Sequence, residues 1–91
     1  MADIHNNSAE HRYELSVDGQ LAVAVYEREG DVLTFTHTLV PPELAGRGVG
    51  TRLIAGALAD VRARDLRIVP QCSFVAAYVE RHPEARDLLA G

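Results

Sequence analysis

The chain has 91 residues, 47% of them hydrophobic, and a formal net charge of −4. That length accommodates one domain with a thin core; the hydrophobic share argues against disorder, and the acidic balance argues against a broad nucleic-acid-binding surface. All nine basic residues are arginine, which excludes any mechanism that needs a lysine while leaving planar guanidinium groups for local phosphate contacts.

No run approaches the length of a membrane span, and the N-terminus carries no apolar signal-peptide core. The single Cys72 has no partner for an internal disulfide, as expected of a cytoplasmic chain. Met1 to His11, with Asn6-Asn7-Ser8, is polar and is expected to form a flexible lead-in to a single domain spanning 12–91. Arg12 to Val17 alternates in hydropathy and is followed by Asp18-Gly19, a two-residue hairpin turn. Leu21 to Tyr26 is the returning strand, Glu29-Gly30-Asp31 a second turn, and Val32 to Val40 the longest strand-like run, rich in β-branched residues. A strict period of two places Leu33, Phe35, His37 and Leu39 on one face and Thr34, Thr36 and Thr38 on the other. The first half therefore reads as a three-stranded antiparallel meander, ended by Pro41-Pro42, which cannot donate to a ladder.

The second half changes period. Val49, Leu53, Ile54, Ala57, Leu58 and Val61 form one apolar stripe of a helix from about Gly48 to Arg64. Asp60 and Arg64 are four apart on its wet side, in the favourable order. Leu66 to Pro70 is a short strand, and strand–helix–strand implies parallel pairing through a right-handed crossover. Ser73 is the expected N-cap of a second helix. His82-Pro83 interrupts that helix, and Pro83 opens a last short turn through Leu89. The fold class is mixed α/β (α+β).

Between the long strand and the first helix lies Leu44-Ala45-Gly46-Arg47-Gly48-Val49-Gly50-Thr51. Alternating glycines let backbone N–H groups approach an anion, and the helix start adds unpaired donors and the positive dipole end. A diphosphate is the natural guest, with Arg47 and Arg52 at its flanks. A nucleoside-triphosphate loop would need a lysine where Gly50 stands. A dinucleotide fold would need a glycine at Thr51 and an acid after the next strand, which instead ends Val69-Pro70.

These features resemble the core of the GNAT acetyltransferase superfamily: three antiparallel strands, a long strand reaching Val40-Pro41, and Gly46-Arg47-Gly48-Val49-Gly50 opening a helix. Gly48 and Gly50 match that family's loop glycines, while Ala45 replaces its usual initial Arg or Gln. Val69-Pro70-Gln71-Cys72-Ser73-Phe74-Val75, then Tyr78 and His82-Pro83-Glu84, is similar to a minimal GNAT-like subfamily of short single-domain proteins. The resemblance spans about residues 12–90. It implies a coenzyme A thioester, acetyl-CoA, as donor, with its pyrophosphate on the segment Ala45, Gly46, Arg47, Gly48, Val49, Gly50, Thr51 and Arg52. Its pantetheine arm would lie in a gap beside backbone groups of Leu39 and Val40, where N–H donors can stabilise a developing oxyanion.

Three side chains are candidates for chemistry. Cys72, at a helix start, gains thiolate character there, and the resemblance makes it the suspected reactive group; the alternative is a small buried hydrophobe. His37, as a neutral imidazole, is able to accept a proton from an attacking amine; otherwise it is a core-edge histidine. Tyr78 matches the GNAT tyrosine that protonates the departing thiolate, although His82-Pro83 replaces the Gly-Phe that usually follows; packing is its alternative. Leu33 to Val40 contains no acid, so the base is His37, a water or the deprotonated amine itself. The expected activity is N-acetyl transfer to an unidentified amine, with a protein or peptide amine among the acceptors considered, on a chain that is a monomer or weak homodimer. No metal, membrane or nucleic acid is expected. A non-catalytic acyl-CoA-binding or protein-interaction module is the rival reading, and a purely structural domain the next.

Overall fold

The computed structural model describes residues 4–90. Five strands, β1 (Ile4–Asn7), β2 (Arg12–Val17), β3 (Gln20–Glu29), β4 (Val32–Leu39) and β5 (Arg67–Pro70), form one sheet in sequence order. Neighbours are antiparallel except β4 and β5, which are parallel and joined through helix α1 (Val49–Ala63). Helix α2 (Ser73–Arg81) and a 3-10 turn over Pro83–Leu88 complete the chain, which returns to β5 through a bond from the Ala90 N–H to the Ile68 carbonyl. Among the described residues, no helix is long and apolar enough to cross a membrane.

The meander, the helix and the parallel crossover are as expected. Asp18 (φ 50°) and Gly19 (φ 76°) make the two-residue turn, both left-handed as a twisted hairpin requires. The lead-in differs. Ile4–Asn7 pairs with Arg12–Leu15 as an edge strand instead of fraying, and Met1 to Asp3 lie outside the described residues. Side-chain contacts help hold that strand, among them a bond from Asn7 Nδ2 to Glu14 Oε2 at 3.0 Å. The Tyr26 hydroxyl donates to Asn6 Oδ1 at 2.6 Å, and Ile4 packs over Gly56 of α1, where a side chain would collide with it. A glycine inside a helix costs helix stability, and here it lets β1 approach.

Both helices cover the same face of the sheet. Tyr13, Leu15, Ala24, Tyr26, Leu33, Phe35 and Ile68 meet Leu53, Ile54, Ala57, Val61, Val75 and Val79 in one core. The Tyr13 hydroxyl crosses this layer to donate to Asp60 Oδ2 at 2.7 Å, and Arg62 grips Asp87 with two bonds of 2.6 and 2.9 Å, tying the C-terminal turn to α1. On the opposite, uncovered face, Leu21, Leu39 and Val69 are exposed.

The face assignment along β4 needs correction. Tyr26 pairs with Phe35 and Val25 pairs with His37, so Thr36 is an extra residue in the ladder. A bulge of one residue reverses the alternation beyond it. Leu33 and Phe35 are buried as expected, but His37 and Leu39 point to the uncovered face and Thr38, paired with buried Ala24, points to the helices.

Candidate functional site

Three local features converge at the C-terminal ends of β4 and β5. The first is the glycine loop. Pro42–Leu44 forms a 3-10 turn whose Leu44 is 1% exposed, so the loop is pinned to the core at its start. Gly46 (φ 79°) and Gly48 (φ 72°) then adopt left-handed conformations that L side chains resist, and Gly48 is the N-cap of α1. Among the described residues, the N–H groups of Gly46, Gly48, Val49, Gly50 and Thr51 have no acceptor within the chain; the first helical bond is donated by Arg52 to the Gly48 carbonyl. They border a cleft of about 270 Å³ that reaches from Val40 to Phe74. A row of unpaired donors at a helix start has the geometry that suits an anion.

The flanking arginines are not equivalent. Arg47 makes an ion pair with Asp18 of the β2–β3 turn, Nη2 to Oδ2 2.9 Å, so it braces the loop against the hairpin. Arg52 is exposed on the first turn of α1 and, among the described residues, makes no ion pair.

The second feature is a gap between strands. β5 pairs with β4 only from Val32 to Phe35, where the Cys72 N–H still reaches the Phe35 carbonyl at 2.8 Å. β4 then runs on to Leu39 while the chain after β5 turns into α2. Residues 36–39 therefore have β3 on one side and no strand on the other. Leu39 and Val40 stand at this opening, and Val40 also lines the loop cleft.

The third feature is the thiol at the mouth of that gap. Cys72, not Ser73, is the N-cap residue of α2, and it caps without a side-chain hydrogen bond. Its Sγ lies 3.4 Å from Thr38 Oγ1, the side chain that the β4 bulge turned inward. Partial burial raises the thiol pKa, but the contact with Thr38 and the nearby backbone N–H groups of Val75 and Phe74 at the start of α2 outweigh it, leaving the net value below that of an ordinary cysteine.

The other two candidates lie elsewhere. His37 is exposed on the uncovered face, with Nδ1 3.0 Å from Thr36 Oγ1. Tyr78 faces α1, and its ring stacks on His82 with centroids 3.9 Å apart. Burial, and then the charge of Glu84, raise its hydroxyl pKa, so it keeps its proton. No hydrogen bond joins either residue to Cys72 among the described residues.

Sequence reasoning missed two contributors. Thr38 was hidden because nothing in an alternating β-branched run marks a bulge. Phe74 covers Gly50 so closely that a β-carbon there would lie 2.6 Å from the ring; an apolar residue in the first turn of a helix gives no sign of that neighbour.

A family model described as GCN5-related N-acetyl-transferase matches residues 12–88. The chain belongs to that family. The solution structure of a GCN5-like protein from Staphylococcus aureus, an N-acetyltransferase by assignment only, is similar in fold with a TM-score of 0.73. The two sequences are 27% identical over an alignment covering 98% of this chain and 88% of that one. GNAT membership fits the divergence of β4 from β5 and the loop that opens α1, and it places the bulge, the loop and Cys72 within the matched segment.

Proposed function

We propose that this GNAT domain binds acetyl-CoA and transfers its acetyl group to an amine. The observation that carries the reading is the row of unpaired N–H groups from Gly46 to Thr51, opening along Val40 onto the gap where β4 parts from β5. The fit to a diphosphate is good. The donors are backbone, the two left-handed glycines leave open space where β-carbons would stand, and Arg52 adds a charge. Ala45, Val49 and Thr51 complete the cradle, and Arg47 orders it through Asp18.

Within the gap, backbone groups at Leu39 and Val40 orient the arm and stabilise charge on the thioester oxygen. The donor, when bound, supplies an activated acyl carbon. Cys72 is the group of this chain best placed to take it. Its thiolate sulfur forms a bond to the acetyl carbon as the bond to the leaving sulfur breaks, and Thr38 holds that thiolate by hydrogen bonding. The acceptor amine then bonds to the carbon, Cys72 leaves as thiolate, and the amine gives its proton to water or to His37. The gap opens on its far side beside His37 and Leu39 of the uncovered sheet face, so the acceptor approaches from there. Direct attack by the amine keeps every feature except the thiol.

Titrating CoA into labelled protein tests the donor: the amide signals of Gly46, Gly48 and Gly50 should move saturably. No movement at millimolar CoA would end the proposal. Mass spectrometry after mixing with acetyl-CoA alone should find an added acetyl group in wild type and none in Cys72→Ala. Full amine acetylation by Cys72→Ala would instead establish direct attack.

A further inference from the structure

The sheet carries a second apolar cluster, on the face the helices leave bare. Val23 is only 8% exposed, yet it lies outside the core, because its neighbours Ala22 and Ala24 are the residues of β3 that face the helices. Its companions on the bare face are Leu21 and Val25 along β3 and Leu39, paired with it on β4. Val69 of β5 shares that face, and Leu21, Leu39 and Val69 are 43%, 58% and 38% exposed. A contiguous apolar patch on a small domain marks a surface that meets another molecule.

The charges around the patch say what that molecule is. Glu29, Val32 and Arg67 form one row across β3, β4 and β5, in register through both ladders, and Glu27 stands on the next row, paired with Thr34. Strand alternation from the buried Tyr26, Leu33 and Ile68 turns Glu27, Glu29, Val32 and Arg67 to the bare face. Carboxylates thus flank β4 on one side and a guanidinium flanks it on the other. Among the described residues, Glu27, Glu29 and Arg67 make no ion pair. Arg67 reaches the Leu66 carbonyl at 3.4 Å, and Asp87, whose carboxyl feels its charge, is held by Arg62. Arg12 and Glu14, on the β2 side of the patch, neutralise each other at 2.7 Å.

A row with opposite charges at its ends and an apolar centre is self-complementary under a two-fold axis. Rotation about an axis along β4 keeps each row at its height and exchanges β3 with β5. It lays Glu29 of one copy on Arg67 of the other, twice over, and sets Val32 and Leu39 on their own counterparts. Sheets stacked in this way keep their strands aligned, a common mode of sheet packing. The same rotation carries Val23 and Val25 over the stretch where the other copy's β4 has no strand on its β5 side.

We propose that the bare sheet face docks a second copy of this chain, and that each copy then closes the other's strand gap on the side from which the acceptor approaches. The docking stands on the patch and the charge row; the closure rests on the acceptor route given above. A stable interface takes roughly 800 Å² from each partner. Three short strands offer less, so the pair is transient and forms as concentration rises.

Sedimentation velocity on the full chain, from micromolar to millimolar, should show the wild type passing from monomer towards dimer. Glu29→Arg and Arg67→Glu should each weaken association by about ten-fold or more, because like charges then face each other twice. The double swap should restore it. Both positions are exposed, so every variant should keep the wild-type Tm. Acetylation of a small amine per wild-type chain should fall as protein concentration rises, and should stay constant in Arg67→Glu. A wild type that remains monomeric at millimolar concentration, an association that survives either reversal, or a double swap that fails to restore it would overturn the docking. Association with constant activity per chain would overturn the closure. Failure of the wild type to bind CoA would overturn the donor reading and the closure with it, while sedimentation would still decide the docking.

Discussion

Substituting the loop glycines one at a time separates two physical costs at one site. Gly48→Ala is the informative change. A β-carbon there meets nothing within 4 Å, so packing contributes nothing; φ is +72°, so the penalty is conformational alone. An L residue in the left-handed region costs about 1–2 kcal/mol. For a domain of this size each kcal/mol lowers Tm by about 4–8 °C, and the loss should be visible in a calorimetric scan without ligand. Alternatively the backbone relaxes to negative φ, which turns the N–H groups of Gly48 and Val49 away from the cleft. In either case CoA affinity should fall by about ten-fold or more, equivalent to 1.4 kcal/mol. Gly50→Ala is the contrast. It lies in the helix, where alanine is favoured over glycine by roughly 0.5–1 kcal/mol, but its β-carbon would stand 2.6 Å from Phe74 Cζ. With Phe74 present the ring must swing aside and the gain is cancelled; with Phe74→Ala in place the gain should appear. Unchanged Tm and unchanged CoA binding in Gly48→Ala would refute the conformational argument. Additive effects of Gly50→Ala and Phe74→Ala would refute the steric one.

Other consequences follow from the same contacts. Gly56→Ala should destabilise the domain by about 1 kcal/mol despite alanine's higher helix propensity, because the methyl group displaces Ile4 and overpacking outweighs the gain; Ile4→Ala should abolish that penalty, as hydrogen exchange of β1 amides would report. Alkylation of Cys72 by iodoacetamide should rise with pH at a lower midpoint than for an ordinary cysteine, and Thr38→Val should move the midpoint up by removing a hydroxyl that favours the thiolate. Asp18→Asn should change Tm little, since the Arg47 pair is exposed, yet should weaken CoA binding by releasing the brace that Arg47 gives the loop. Burial, and then the bond to Asp60, raise the Tyr13 hydroxyl far above the ordinary tyrosine value of about 10. The folded state thus holds this proton longer than the unfolded state. That contribution is complete below about pH 10 and is lost as pH rises above it. Tyr13→Phe should flatten the alkaline limb of a stability–pH curve without removing it, because the Tyr26 hydroxyl is raised too, by burial.

The sequence alone determined the meander, both hairpin turns, the α1 stripe, the parallel crossover and the glycine-rich opening of α1 at residues 44–51. Each of these is local: a period of two or 3.6, a left-handed turn residue, or a glycine spacing is written in adjacent positions. The chemistry of the site was only half legible. His37, Thr38 and Cys72 were visible as residue types, but one unmarked extra residue at Thr36 exchanged which side chains face the helices. That exchange sent His37 to the bare face and brought Thr38 to Cys72. The pairing of Ile4–Asn7 was hidden for a related reason, since its partners, β2 and the cleared surface at Gly56, are distant in sequence. So was the cleft of about 210 Å³ between the helices: Thr51 and Arg81, which both line it, lie on different helices and meet because α1 and α2 pack side by side on one face of the sheet. Local pattern set the elements and the cradle, while packing between elements selected which titratable groups share the space around it.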